Sequence, residues 1–91
     1  MIRLNVFIQV SAENRPAVLE AATELVAKSL NDEGCIGYDA FESATRPDVL
    51  MIIETWKDAD CLAAHQKAEH FVTLVGKILE LSTMKIEDFQ S

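Results

Sequence analysis

The chain has 91 residues and a mass of 10.1 kDa, which leaves room for one domain spanning residues 1–91. Its 8 basic and 15 acidic residues give a formal net charge of −7, which argues against binding nucleic acid or an anionic membrane through clustered Lys and Arg. The longest apolar runs are far shorter than the roughly 20 residues that cross a bilayer.

The first predicted element is a β-strand over residues 2–10, where apolar and other side chains alternate with a period of two. Asn5 lies on the second face of this strand, among apolar neighbours, where an amide is disfavoured. A buried amide needs a hydrogen-bond partner, so the pattern predicts that Asn5 bonds either a ligand, as part of a pocket wall, or a nearby side chain. The apolar face consists of Ile2, Leu4, Val6, Ile8 and Val10.

The middle of the chain predicts one helix and two further strands. The helix follows Asn14, with Pro16 in its first turn, and Gly34 marks its end. Residues 35–44 and 49–56 predict the strands. The second of these strands is apolar on both faces, so it should be central in a sheet and covered on both sides.

The last third predicts helical structure and a final strand. Asp58 caps a helix to about residue 67, a second helical stretch begins near Glu69, and residues 83–89 form the strand. The order β-α-β-β-α-β is that of the α+β ferredoxin-like plait, a four-stranded antiparallel sheet with helices on one face. Because the helices leave one face open, the two-faced third strand predicts a homodimer with its sheets packed face to face.

The cysteine content bears on the cellular compartment. Only Cys35 and Cys61 are present, and they do not form a CxxC motif, so a disulfide scaffold or a zinc knuckle is not expected. This usage predicts a cytoplasmic protein.

Two segments carry a family resemblance. One runs from Glu54-Thr55-Trp56, at the end of a strand, through an acidic-capped helix to His65 and then to His70-Phe71. The other is Gly34-Cys35-Ile36-Gly37-Tyr38, at the start of the second strand. Both segments resemble the antibiotic biosynthesis monooxygenase family. The resemblance extends over essentially the whole chain. The resemblance implies a dimeric α+β barrel with one pocket per subunit, between the sheet and the helices.

The resemblance also implies an activity, the cofactor-independent oxidation of a small quinol or polycyclic phenol by O2. We expect His65 to act as the base, because an imidazole titrates near neutral pH, and Asn5 to orient the substrate or O2. The substrate itself supplies the electrons, so neither a flavin nor a metal is required. The side chains expected to bind the substrate are Tyr38, Trp56, His70 and Phe71.

Two alternatives to an oxygenase stay open at this point. One is an isomerase of a small hydroxy-carbonyl signalling compound, in which His65 shuttles protons between adjacent carbons. The other is a non-catalytic ligand-binding dimer. A small polar pocket favours the isomerase, a long apolar pocket favours the oxygenase, and a pocket filled by its own side chains favours the non-catalytic dimer.

The spacing of the two histidines gives a further expectation. His65 and His70 are five residues apart, so on a continuous helix they lie on different faces. This spacing differs from the i,i+4 pair that binds a metal on one helix. Only a bend between them brings both to one pocket.

Overall fold

The computed structural model describes residues 1–90, which contain four strands and three helices. The strands form one antiparallel sheet in the order β2-β3-β1-β4. This confirms the predicted ferredoxin-like α+β plait, with the second helical region divided into two helices. The elements are β1 (Ile2–Val10), α1 (Arg15–Ser29), β2 (Cys35–Glu42), β3 (Val49–Trp56), α2 (Ala59–Lys67), α3 (Glu69–Leu81) and β4 (Ser82–Gln90). Among these residues, no helix is both long and apolar enough to cross a membrane.

The alternation of β1 decides which side chains meet the helices. Its even-numbered residues are all buried, and the register places Leu4 opposite Glu54 and Ile8 opposite Leu50 of β3. Helices α1 and α3 cover this face and complete the core. Their buried apolar residues are Val18, Ala21, Ala22, Leu25, Leu74 and Ile78.

A β-bulge at the start of β2 sets the direction of its aromatic side chains. Cys35 pairs with Trp56, but the next partner of β3 is Gly37, so Ile36 is an extra residue in the ladder. Beyond the bulge, Tyr38 lies opposite Glu54 on the covered face and is buried. Phe41 lies on the other face and is half exposed.

The second face of the sheet has no helix over it. Here Asn5 lies opposite Ile53, and Phe7 lies between Met51 and Lys85 of the neighbouring strands. Large apolar side chains are therefore exposed on this face, with Phe41 at 48% and Phe89 at 51% of their surface. Both faces of β3 carry apolar side chains, as the sequence predicts, and the uncovered face has the surface that the predicted dimer requires.

The break between α2 and α3 occurs at Ala68. This residue is extended, with φ −66° and ψ 146°, so it ends one helix and precedes the first residue of the next. At the other end of α2, the Asp58 side chain accepts a hydrogen bond from the Cys61 backbone N–H, which confirms the predicted cap. The break changes the relative direction of His65 and His70.

Gly34 connects α1 to β2 in a conformation that other residues rarely adopt. Its φ is +77°, and a Cβ at this position would overlap the side chain of Cys61. We expect Gly34→Ala to lower the free energy of unfolding by about 2–3 kcal/mol, measured by urea denaturation. Gly76→Ala is the matched control, because Gly76 lies within α3 with open space around it and the change should stabilise the helix. Equal effects of the two changes would contradict the strain at Gly34.

Candidate functional site

Two histidines converge on one carboxylate at the junction of α2 and α3. Asp32, in the connection between α1 and β2, accepts hydrogen bonds at Oδ2 from His65 Nδ1 and His70 Nε2, each at 2.7 Å. His65 lies in the last turn of α2 and His70 in the first turn of α3. The break at Ala68 therefore provides the bend that lets two histidines five residues apart reach the same carboxylate.

The His65 imidazole lies inside an aromatic cluster. Its side chain has no exposed surface, whereas Asp32 and His70 retain about a fifth of theirs. The ring of Trp56 lies 4.4 Å from the imidazole centroid, and the rings of Phe71 and Tyr38 lie at 5.1 and 5.5 Å in edge-on orientations. These rings fix the imidazole in one place and keep water away from it.

Burial and Asp32 together determine the protonation state of His65. Burial lowers its pKa below the usual value of 6.5, while the Asp32 carboxylate opposes that shift. The imidazole is therefore neutral at pH 7. Since Asp32 accepts at Nδ1, the single proton resides on Nδ1, and Nε2 keeps a free lone pair. Within residues 1–90, Nε2 is buried without a hydrogen-bond partner.

A cavity of about 360 Å³ opens between the sheet and α3, within the size range of small-molecule sites. Tyr38 and Phe71, which both contact the His65 ring, form part of its wall. Its polar groups come from Glu54, Gln66 and the Tyr38 phenol. The apolar side chains around it are Leu4, Val6, Leu25, Ile52, Phe71, Val75, Leu79, Met84 and Ile86.

Glu54, whose carboxyl group lines this cavity, is buried and only 4% exposed. Burial raises its pKa, and hydrogen bonds from Trp56 and Tyr38 act in the opposite direction. The Trp56 indole N–H donates to Glu54 Oε1 at 2.9 Å. Burial and the nearby Glu54 charge also raise the pKa of the Tyr38 phenol, so this phenol stays protonated and is a hydrogen-bond donor.

The structure separates the residues that the sequence predicted into three groups. Tyr38 and Phe71 line the cavity, and His65 lies against both of them. Trp56 is fully buried and supports the imidazole without lining the cavity. His70 contacts Asp32 at the protein surface, beside a separate depression.

Asn5 lies on the opposite face of the sheet from His65. All odd-numbered residues of β1 point away from the helices, so Asn5 borders an open hollow beside Arg3 and Phe89. A single pocket shared by Asn5 and His65 is therefore a wrong prediction for this subunit. Asn5 forms no part of the site described here.

Asp32 is the site residue that sequence reasoning missed. It precedes Gly34 in a polar segment whose sequence indicates only the end of a helix, and it lies 33 residues from His65. No local pattern connects residues so far apart. The close approach of Gly34, two residues after Asp32, to Cys61 of α2 is visible only in the structure.

Comparison with known proteins finds relatives over most of the chain. The family model described as antibiotic biosynthesis monooxygenase matches residues 1–77. A protein of Bacillus subtilis (strain 168) named "Putative monooxygenase YcnE" is 33% identical over 87 residues, which cover 96% of this chain and 92% of that protein.

Solved structures share the whole fold. A conserved protein of unknown function from Bacteroides thetaiotaomicron VPI-5482, described as a "Possible Oxidoreductase", is 58% identical with a TM-score of 0.97, covering 99% of this chain and 96% of that one. A conserved protein from Methanosarcina mazei Go1 is 26% identical with a TM-score of 0.94, covering 99% and 91%. The sequence match and the shared architecture together establish that the chain belongs to the antibiotic biosynthesis monooxygenase family.

Proposed function

We propose that the chain is a cofactor-independent monooxygenase that oxidises a small quinol or polycyclic phenol with O2. One observation carries the proposal: the buried imidazole of His65, whose Nε2 has no hydrogen-bond partner, packs against the Phe71 and Tyr38 rings in the wall of a largely apolar cavity. A free imidazole lone pair can accept a phenolic proton at neutral pH. The apolar walls suit an aromatic ring that carries few polar groups.

The first step of the proposed reaction is proton transfer. His65 Nε2 takes the phenolic proton, and Asp32 stabilises the imidazolium through Nδ1–H, as a carboxylate does for the histidine of a catalytic triad. In this structure His65 does not itself line the cavity, so the Phe71 or Tyr38 ring has to turn aside for the substrate to reach Nε2.

The electrons for the second step come from the substrate. The phenolate transfers one electron to O2, and the resulting radical and superoxide combine to form a carbon–oxygen bond. The peroxide anion then takes back the proton held by His65 and becomes a hydroperoxide. Loss of water from the hydroperoxide, together with the remaining hydrogen on that carbon, gives a carbonyl group. One oxygen atom remains in the product, the other leaves as water, and the CH2 carbon of an anthrone-like substrate supplies all four electrons.

The character of the cavity favours this reaction over the two alternatives. A hydroxy-carbonyl substrate needs several polar partners, whereas apolar side chains make up most of this wall. The cavity is also open. A cavity filled by its own side chains would instead favour the non-catalytic dimer.

Oxygen uptake tests the proposal. The protein is incubated with menadiol or an anthrone, and the rate is corrected for oxidation in buffer alone. We expect a protein-dependent rate with the oxidised aromatic compound as product and, for the anthrone, one atom of ¹⁸O from labelled O2 in that product. A rate no higher than in buffer, unaffected by His65→Ala, would overturn the assignment.

The proposal includes a homodimer formed through the uncovered sheet face. We expect the wild-type chain to sediment as two copies of 10.1 kDa at micromolar concentration. Met51→Glu places a charge in the middle of that face and should give a monomer, because burying an unpaired charge is costly. Val72→Glu, on an exposed position of α3, is the control and should leave the dimer intact. A wild-type monomer would contradict this arrangement.

A further inference from the structure

The cluster of Asp32, His65 and His70 has the composition of a metal site. Three ligand atoms, one carboxylate oxygen and two imidazole nitrogens, lie within 4.8 Å of one another. They come from three separate segments, the loop before β2, the end of α2 and the start of α3. Imidazole and carboxylate groups together are typical ligands of Zn²⁺ and neighbouring divalent ions.

The distances in the cluster allow a metal after a small adjustment. Bonds of about 2.0–2.1 Å in a tetrahedral site place ligand atoms roughly 3.3 Å apart. Here each nitrogen lies 2.7 Å from Asp32 Oδ2, so these two distances have to open slightly while the nitrogens approach each other. His65 is the fixed ligand because it is buried, and the partly exposed Asp32 and His70 can move.

Solvent reaches the cluster through Asp32 and His70, whose side chains are both partly exposed. His70 borders a surface depression of about 300 Å³ together with Glu69 and Glu24, the latter 3.7 Å from Lys28. This depression provides a route of entry and space for water ligands at the remaining coordination positions. The net charge of −7 raises the local concentration of cations.

We propose that Asp32 Oδ2, His65 Nδ1 and His70 Nε2 bind one divalent transition-metal ion, with Zn²⁺ as the best-suited ion, at the junction of α2 and α3. The ion replaces the two hydrogen bonds to Asp32. A neutral imidazole bound at Nδ1 carries its proton on Nε2, so the ion converts His65 Nε2 from a proton acceptor into a donor. This change makes the ion an inhibitor rather than a cofactor, a conclusion that rests on the proposed function.

Metal binding is measured directly, without substrate or O2, so its result is separate from that of the oxygen-uptake test. Zn²⁺ is titrated into the folded full-length chain by calorimetry, and the visible absorption of bound Co²⁺ distinguishes nitrogen and oxygen ligands from thiolate. The matched variants are His70→Gln, which can still donate a hydrogen bond to Asp32, and Cys61→Ala, which removes the thiol about one turn before His65 in α2. Circular dichroism and thermal unfolding verify that each variant is folded.

We expect the wild type and Cys61→Ala to bind one ion per chain with the same affinity. His70→Gln should weaken metal binding by more than about tenfold. Removing a residue that only hydrogen-bonds to a metal ligand already lowers metal affinity by about that factor. Absence of saturable binding to the wild type would overturn the proposal. Unchanged affinity in His70→Gln, or loss of binding in Cys61→Ala, would also overturn it.

Discussion

Replacing His65 should reduce quinol oxidation by about 10²–10⁴-fold in kcat/KM, the usual contribution of a positioned general base. The most informative change is His65→Asn, because its amide N–H can still donate to Asp32 while the base at Nε2 is removed. The measurement is oxygen uptake with menadiol or an anthrone, together with the melting temperature of the variant. Asp32→Asn should also lower the rate strongly, because an amide donor at this position favours the wrong imidazole tautomer.

Val72→Ala is the control for the rate measurement, since Val72 lies exposed on α3 away from the cavity. It should retain the wild-type rate. A folded His65→Asn protein that oxidises the substrate as fast as the wild type would show that another group, with Glu54 the first candidate, accepts the proton.

Trp56→Ala should lower the free energy of unfolding by about 3–5 kcal/mol, the range for removing a large buried aromatic side chain. Trp56 has no exposed surface, and its ring packs directly against His65. Domains of this size have a total stability of about 5–15 kcal/mol, so the loss is a large part of it. Urea denaturation of the variant gives the value.

Trp56→Phe separates the hydrogen bond from the packing. It keeps a ring but leaves the buried Glu54 carboxyl group without its indole donor, at a cost of about 1–3 kcal/mol. Burial already raises the folded-state pKa of Glu54, so the free energy of unfolding falls as the pH rises through that pKa. Trp56→Phe should make this fall larger, because it removes a hydrogen bond that lowers the pKa. Adding Glu54→Leu should recover part of the cost. Strictly additive effects of the two changes would contradict the coupling.

Most of the fold is predictable from the sequence because its signals are local. The alternation in residues 2–10, the cap at Asp58 and the break near residue 68 each depend on neighbours in the chain, and the structure confirms all three. The orientation of Tyr38 and Phe41 was not predictable. It depends on the bulge at Ile36, which leaves no distinct pattern in the sequence.

The candidate site was only partly predictable because its geometry is non-local. The resemblance to a family pointed to His65, but its partner Asp32 is distant in the chain. Asn5 was a reasonable candidate because an amide within an apolar strand requires an explanation. The sheet has two faces, however, and only the register with β3 shows that Asn5 and His65 lie on opposite ones.

In the proposed reaction, Asp32 holds His65 as a neutral base with a free Nε2. Nitrogen NMR of ¹⁵N-histidine-labelled protein tests this claim directly, and no substrate is needed. The chain has only two histidines, and a His70→Gln sample assigns them. We predict that at pH 7 the His65 proton resides on Nδ1 and that the ring titrates with a pKa below 6.5. A charged ring at pH 7, or a proton on Nε2, would overturn the role of His65 as the base.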